Sequence, residues 1–85
     1  MARLLISYDL RKPNYDEEDY QALYSALKKM HAKRIQESVW AVQTNANPTS
    51  VFDRLSPLMH ENDRLLVARI GAFKNFQGIT LLKGV

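Results

Sequence analysis

Arg3 to Leu10 reads Arg-Leu-Leu-Ile-Ser-Tyr-Asp-Leu, apolar enough over a short span for a buried strand, and Pro13 and Asn14 in the following Arg11-Lys12-Pro13-Asn14 mark a loop. The period then changes: Tyr20, Leu23, Tyr24, Leu27 and Met30 recur at helical spacing and supply one buried face. Asp16 is suited to cap this helix. Glu17, Glu18 and Asp19 put negative charge in its first turn, and Lys28, Lys29 and His31 put positive charge in its last, matching the helix dipole at both ends. The pattern predicts a helix from about Glu17 to His31.

Between Ala32 and Thr44, Ile35, Val39, Trp40 and Val42 favour extended backbone, but the stretch is too long for one strand in so small a domain, so a break near Glu37 predicts a hairpin. Asn45-Ala46-Asn47-Pro48 is a turn cluster. Asn47 or Thr49 can cap a second helix whose inward residues are Val51, Phe52, Leu55, Leu58 and Met59, with Pro57 kinking or ending it. Glu61-Asn62-Asp63 reads as a turn, Arg64 to Ile70 as a strand, and Gly71 as its stop. Beyond a loop containing Phe73 and Phe76, Ile79 to Lys83 is predicted as a short edge strand suited to pairing with another protein chain. This order predicts a single α+β domain over residues 1–85: a ferredoxin-like βαββαβ fold with an antiparallel sheet, two helices on one face, and the C-terminal edge strand.

A chain of 85 residues buries a modest share of its surface, which makes oligomerisation a natural route to stability. Twelve Lys and Arg against nine Asp and Glu give a net charge of +3, compatible with a polyanionic partner. The absence of cysteine removes disulfides, thiolate metal sites and thiol nucleophiles together. No apolar run is long enough to span a bilayer and the N-terminus has no long apolar segment of the signal-peptide kind, so the expected address is cytoplasmic, away from membranes. No phosphate-binding glycine loop, dinucleotide fingerprint or nucleophile elbow is present, which disfavours nucleotide-cofactor chemistry. His31 and His60 form no metal-ligand pair and are expected at the surface.

The candidate chemistry centres on Asp9. A carboxylate at the end of an apolar strand must find water, a donor, a cation or a metal. A hard oxygen ligand there suits Mg²⁺, which needs only one or two carboxylates when phosphate and water complete its shell; equally, Asp9 can cap the following loop or pair with Arg11 or Arg34. Arg11, Lys12, Lys33 and Arg34, gathered near that end of the sheet, would neutralise backbone phosphates, and the alternative is ordinary solvated charge. Tyr8, Tyr15 and Trp40 are of the type that stacks on bases, although Trp40 and Tyr20 equally suit the core. Ser38 can bond a phosphate or a backbone group in the hairpin.

A first strand ending Ser7-Tyr8-Asp9, a helix of about four turns, and then Arg34-x-Gln36-x-Ser38-Val39-Trp40 resemble the small CRISPR-associated nuclease family of the spacer-acquisition complex and its relatives among virulence-associated protein D toxins. The resemblance is carried by the first half of the chain. It implies a ferredoxin-like homodimer in which the two copies of Asp9 face each other across a cleft, hold a divalent metal such as Mg²⁺ and cut phosphodiesters of RNA or DNA; it also implies that such a dimer can serve as a non-catalytic platform for DNA. The family commonly has glycine just before the second strand, where this chain reads Met30-His31-Ala32-Lys33, and Glu61 to Phe76 departs from the family pattern, so a divergent member is expected. Three function classes follow: a metal-dependent endonuclease with Asp9 catalytic and Arg11 and Arg34 positioning the strand, a nucleic-acid-binding or assembly module without turnover, and a regulator that captures a protein partner by strand addition.

Overall fold

The computed structural model describes residues 2–13 and 16–71. Tyr15, the Phe73 and Phe76 loop and the expected edge strand Ile79 to Lys83 lie outside these residues. Four strands form one antiparallel sheet: β1 (Ala2–Asp9), β2 (Lys33–Gln36), β3 (Val39–Thr44) and β4 (Arg64–Ile70), in the order β2-β3-β1-β4. Two helices, α1 (Gln21–Lys29) and α2 (Pro48–Leu55), complete the α+β ferredoxin-like arrangement expected from the sequence.

Strand alternation explains the layers. On β1, Leu4, Ile6 and Tyr8 are buried, and their register partners Val42 and Trp40 on β3 are buried with them. Against this face pack Tyr20, Leu23 and Leu27 from the α1 segment and Val51 and Leu55 from α2, making one core. The intervening residues Leu5 and Ser7, with Val39, Ala41, Leu66 and Ala68 beside them, form the opposite, open face, where Leu66 is 53% exposed.

Local chemistry sets the helix ends. Asp16 accepts from the Glu18 amide at 3.0 Å while the Asp19 carboxylate accepts from the Asp16 amide at 3.0 Å, a reciprocal capping box. The first turn, Glu17–Tyr20, is a 3₁₀ turn, and only from Gln21 does the chain become α-helical. The helix stops short of His31, which sits at φ 63° in the left-handed region. The His31 amide donates to the Lys28 carbonyl at 3.0 Å and the Ala32 amide to the Leu27 carbonyl at 3.1 Å, the paired bonds of a Schellman turn. At α2, Asn47 is the cap, accepting from Ser50 at 2.8 Å, with Pro48 in the first turn; the helix gives way to the 3₁₀ turn Ser56–Leu58 around Pro57. Phe52, expected to face inward, is 40% exposed, because Val51 and Leu55 occupy the core-facing side of this two-turn helix. His60, expected at the surface, is half-buried.

Candidate functional site

Glu37 and Ser38 link β2 to β3, the break expected near Glu37. The Glu37 carbonyl accepts from Nε and Nη2 of Arg34, and the Tyr8 hydroxyl reaches the same carbonyl at 3.5 Å. Trp40 Nε1 donates to the Tyr8 hydroxyl at 2.9 Å, and the Tyr8 amide donates to the Ser38 carbonyl at 3.1 Å. The Arg34 guanidinium lies 5.3 Å from the ring centroids of both Tyr24 and Trp40, within cation–π range. The residues Tyr8, Arg34, Ser38 and Trp40 thus share one bonded unit that fastens the hairpin tip to the end of β1. An open cleft beside it is lined by Tyr8, Asp9, Leu10, Tyr24, Arg34, Glu37 and Ser38.

Asp9 ends β1 with its side chain 55% exposed. Arg11 Nε donates to Asp9 Oδ2 at 2.9 Å, one of the pairings expected for this carboxylate. Arg64 stands directly opposite Asp9 in the β1–β4 ladder. Cross-strand partners share a face, so Asp9 and Arg64 belong to the same side as Ser7 and Leu66, the open face. Arg64 was not legible as a site residue, because its place depends on strand register rather than on any local motif.

Two expectations are corrected by the same alternation. Lys33 does not join Arg11, Lys12 and Arg34 at the Asp9 end: it pairs with Ala41, level with Leu5 and on the open face, whereas Arg34 pairs with Trp40 on the covered one. Tyr8 and Trp40, 5% and 3% exposed, have their rings in the core and present no free face for a base. Lys12 is tied at 2.6 Å to Asp19, whose carboxyl is held below its usual range by that bond and by the Asp16 amide.

Asp63 is the organising residue of this end. Its carboxylate accepts from the Arg11 amide at 2.6 Å, the His60 amide at 2.8 Å and the Tyr20 hydroxyl at 2.8 Å. Burial pushes the Asp63 carboxyl up, but the bonds from Arg11, His60 and Tyr20 outweigh it and leave the group below the ordinary carboxylate range. Tyr20 is pushed up to about 12 by burial and by the Asp63 carboxylate. The Glu61-Asn62-Asp63 stretch reads in sequence only as a polar turn; beyond the local His60 amide, the donors that give Asp63 its role, Tyr20 and Arg11, lie 43 and 52 positions away.

Among the described residues no group of three or more His, Asp or Glu side chains is placed to hold a metal ion. Likewise no helix among the described residues is long and apolar enough to cross a membrane. The family model described as CRISPR associated protein Cas2 matches residues 1–77, reaching across the 61–76 region as well as the first half. A model spanning that much of the chain, over a ferredoxin-like sheet with Asp9 at the end of its central strand, makes this protein a member of the Cas2 family, with a CRISPR-associated role in nucleic-acid processing.

Proposed function

We propose that the protein is a metal-dependent endonuclease that works as a homodimer, with Asp9 of each protomer at a shared cleft. The observation that carries this reading is the placement of an exposed carboxylate at the open-face end of a central strand, flanked by Arg11 and Arg64. The open face also carries Leu5, Val39, Ala41, Leu66 and Ala68, an apolar set that a second sheet would cover. Two sheets stacked by this face bring two Asp9 carboxylates to one cleft, which is the donor set a Mg²⁺ ion accepts when phosphate and water fill its remaining positions. The Arg11 bond falls on Asp9 Oδ2, which leaves Oδ1 without a hydrogen bond among the described residues and available as a ligand oxygen. When bound, Mg²⁺ supplies Lewis-acid polarisation of the phosphate and a more acidic water.

The chain's own residues do the rest. Arg11 and Arg34 hold the strand by its phosphates, and the Glu37 carbonyl and the Tyr24 ring fix the direction of Arg34. A water oxygen bonds to phosphorus as the bond to the departing sugar oxygen breaks, and that oxygen leaves protonated. A second reading, a nucleic-acid-binding platform without turnover, is favoured by the Asp9–Arg11 pair, which already satisfies one carboxylate oxygen.

Cleavage of labelled single-stranded RNA and double-stranded DNA by wild type and Asp9→Asn, with Mg²⁺ and with chelator, separates the two on protein of verified dimer state. Metal-dependent cleavage lost in the variant supports the endonuclease. Binding by both proteins without cleavage by either refutes it in favour of the platform, and absence of binding leaves the strand-captured protein partner.

A further inference from the structure

We infer that Arg64 is a phosphate-binding residue of the Asp9 end, where with Arg11 it forms a two-arginine clamp for a nucleic-acid backbone. This inference rests on the nucleic-acid reading above and adds a contact to the same site, but it holds with or without cleavage.

Strand register is the first support. Arg64 opens β4 and pairs with Asp9 across the β1–β4 ladder. Residues directly opposed in an antiparallel pair hold their Cβ atoms about 4.5–5.5 Å apart on one face. Pleating also separates the two charged neighbours at this point of the chain. Asp63 turns to the covered side, where the Tyr20 hydroxyl bonds it, and Arg64 stands on the open side with Ser7 and Leu66. The open-face end therefore presents Asp9 and Arg64 together, with the Asp63 carboxylate held behind them by its own donors.

The pairing pattern is the second support. Asp9 takes its ion pair from Arg11 at 2.9 Å. Arg64, exposed and opposite the same carboxylate, makes no hydrogen bond or ion pair with another described residue. Its guanidinium is permanently charged and carries five donors in one plane, a geometry that takes two phosphate oxygens at once. Arg34, by contrast, serves the cleft from the covered side, with Nε and Nη2 on the Glu37 carbonyl and the Tyr24 and Trp40 rings beside it. Arg64 is the arginine on the face that Asp9 occupies.

The Asp63 latch brings the two arginines to one place. Its bond to the Arg11 amide at 2.6 Å carries the loop after β1 to the start of β4, one residue before Arg64. Arg11 thus reaches Asp9 from the loop side and Arg64 faces it from the strand side. A single carboxylate between two guanidinium groups leaves a net positive charge at this end, which suits a phosphodiester anion.

The test is binding in the absence of the Asp9 charge. Asp9→Asn protein in chelator is titrated with labelled single-stranded RNA and double-stranded DNA over a range of salt, alone and with Arg64→Ala added. If Arg64 grips phosphate, Arg64→Ala should weaken binding about tenfold irrespective of sequence, and the log–log salt slope should fall by about one for each copy of Arg64 in contact. Arg64→Lys keeps the charge and should keep the slope. Circular dichroism melts verify folding, and Arg64→Gln, which retains much of the side-chain stem, repeats the measurement if the alanine variant melts early. An Arg64 that served only to neutralise Asp9 has no partner left in this background, so equal affinity and slope with and without Arg64→Ala would overturn the inference. A loss of affinity at unchanged slope would overturn it too, as the mark of a structural effect. Loss on Arg64→Ala in a protein whose wild type never cleaves would leave the clamp standing while removing the endonuclease; wild-type cleavage alongside an unchanged Arg64→Ala would do the reverse. A parent that binds neither nucleic acid would remove the clamp together with the nucleic-acid reading.

Discussion

Replacing His31 with glycine should stabilise the protein. His31 occupies the position after the α1 cap at φ 63°, with its amide bonded to the Lys28 carbonyl and the next amide to the Leu27 carbonyl. The turn cannot relax by changing φ without giving up both bonds and pulling Ala32, 7% exposed, away from fully buried Leu27. An L-residue in this region costs ~1–2 kcal/mol, with histidine toward the lower end because it is among the residues enriched there. Glycine removes that cost but loses ~0.5–1 kcal/mol through the greater freedom of its unfolded chain. The balance is about 0.5 kcal/mol in favour of glycine, or a rise of roughly 2–4 °C in Tm for a domain this size. His31→Ala is the control, since alanine retains the Cβ and gains none of glycine's freedom. Urea titrations at one fixed protomer concentration, so that self-association contributes equally, measure both variants. A glycine variant no more stable than the alanine variant would refute the claim that the turn is strained.

Asp63→Asn should destabilise by about 1–3 kcal/mol at neutral pH, because charged acceptor bonds are weakened at three donors at once. The native Asp63 carboxyl lies below its unfolded value, so its contribution is full above about pH 4 and is lost as pH falls through the folded value; the asparagine variant should show a shallower acid limb in pH-dependent urea unfolding. Tyr20 works in the opposite direction: raised to about 12, it stabilises fully below pH 10 and loses that contribution as pH rises through the folded value. Tyr20→Phe should therefore cost about 1 kcal/mol at pH 7 and flatten the alkaline limb, and an unchanged limb would contradict the assignment. Arg34→Lys, lacking the planar fork that stacks on Tyr24 and Trp40 while bonding the Glu37 carbonyl, should cost about 1–2 kcal/mol by chemical denaturation. Arg11→Ala should weaken nucleic-acid binding across sequences and lower its log–log salt slope by about one, read in a salt titration of binding.

The element order was legible because each local signal agreed with the next: Asp16 and Asn47 cap where expected, Glu37 opens the hairpin, and Pro57 ends the second helix. What escaped was what depends on face or register. Phe52 fits an apolar helical period as well as Val51 does, and only the crossing of α2 over the sheet decides which is buried. Lys33 and Arg34 are neighbours in sequence, yet pleating sends them to opposite faces. Asp9 stood out because a charge interrupts an apolar strand, while Arg64 opposite it and Asp63 behind it did not, since both draw their meaning from residues far away in the chain. The Arg34-x-Gln36-x-Ser38-Val39-Trp40 motif was visible in sequence, but its bonded role, a guanidinium and an indole locking the hairpin to Tyr8, required the fold.

The tie from Asp63 to the Arg11 amide spans 52 positions, and this sets an order of assembly. A ribosome adding about 5–20 residues per second delivers β1, α1, β2 and β3 well before Asp63 emerges. In that interval Asp9 lies beyond the β1–β3 ladder, which ends at Ser7, its partner Arg64 and the Asp63 latch do not yet exist, and the loop bearing Arg11 has no fixed exit from the sheet. The charged end of the domain is consequently the last part to take shape, and a nascent or truncated chain lacking β4 would carry the Asp9 sequence without the arrangement that gives it meaning.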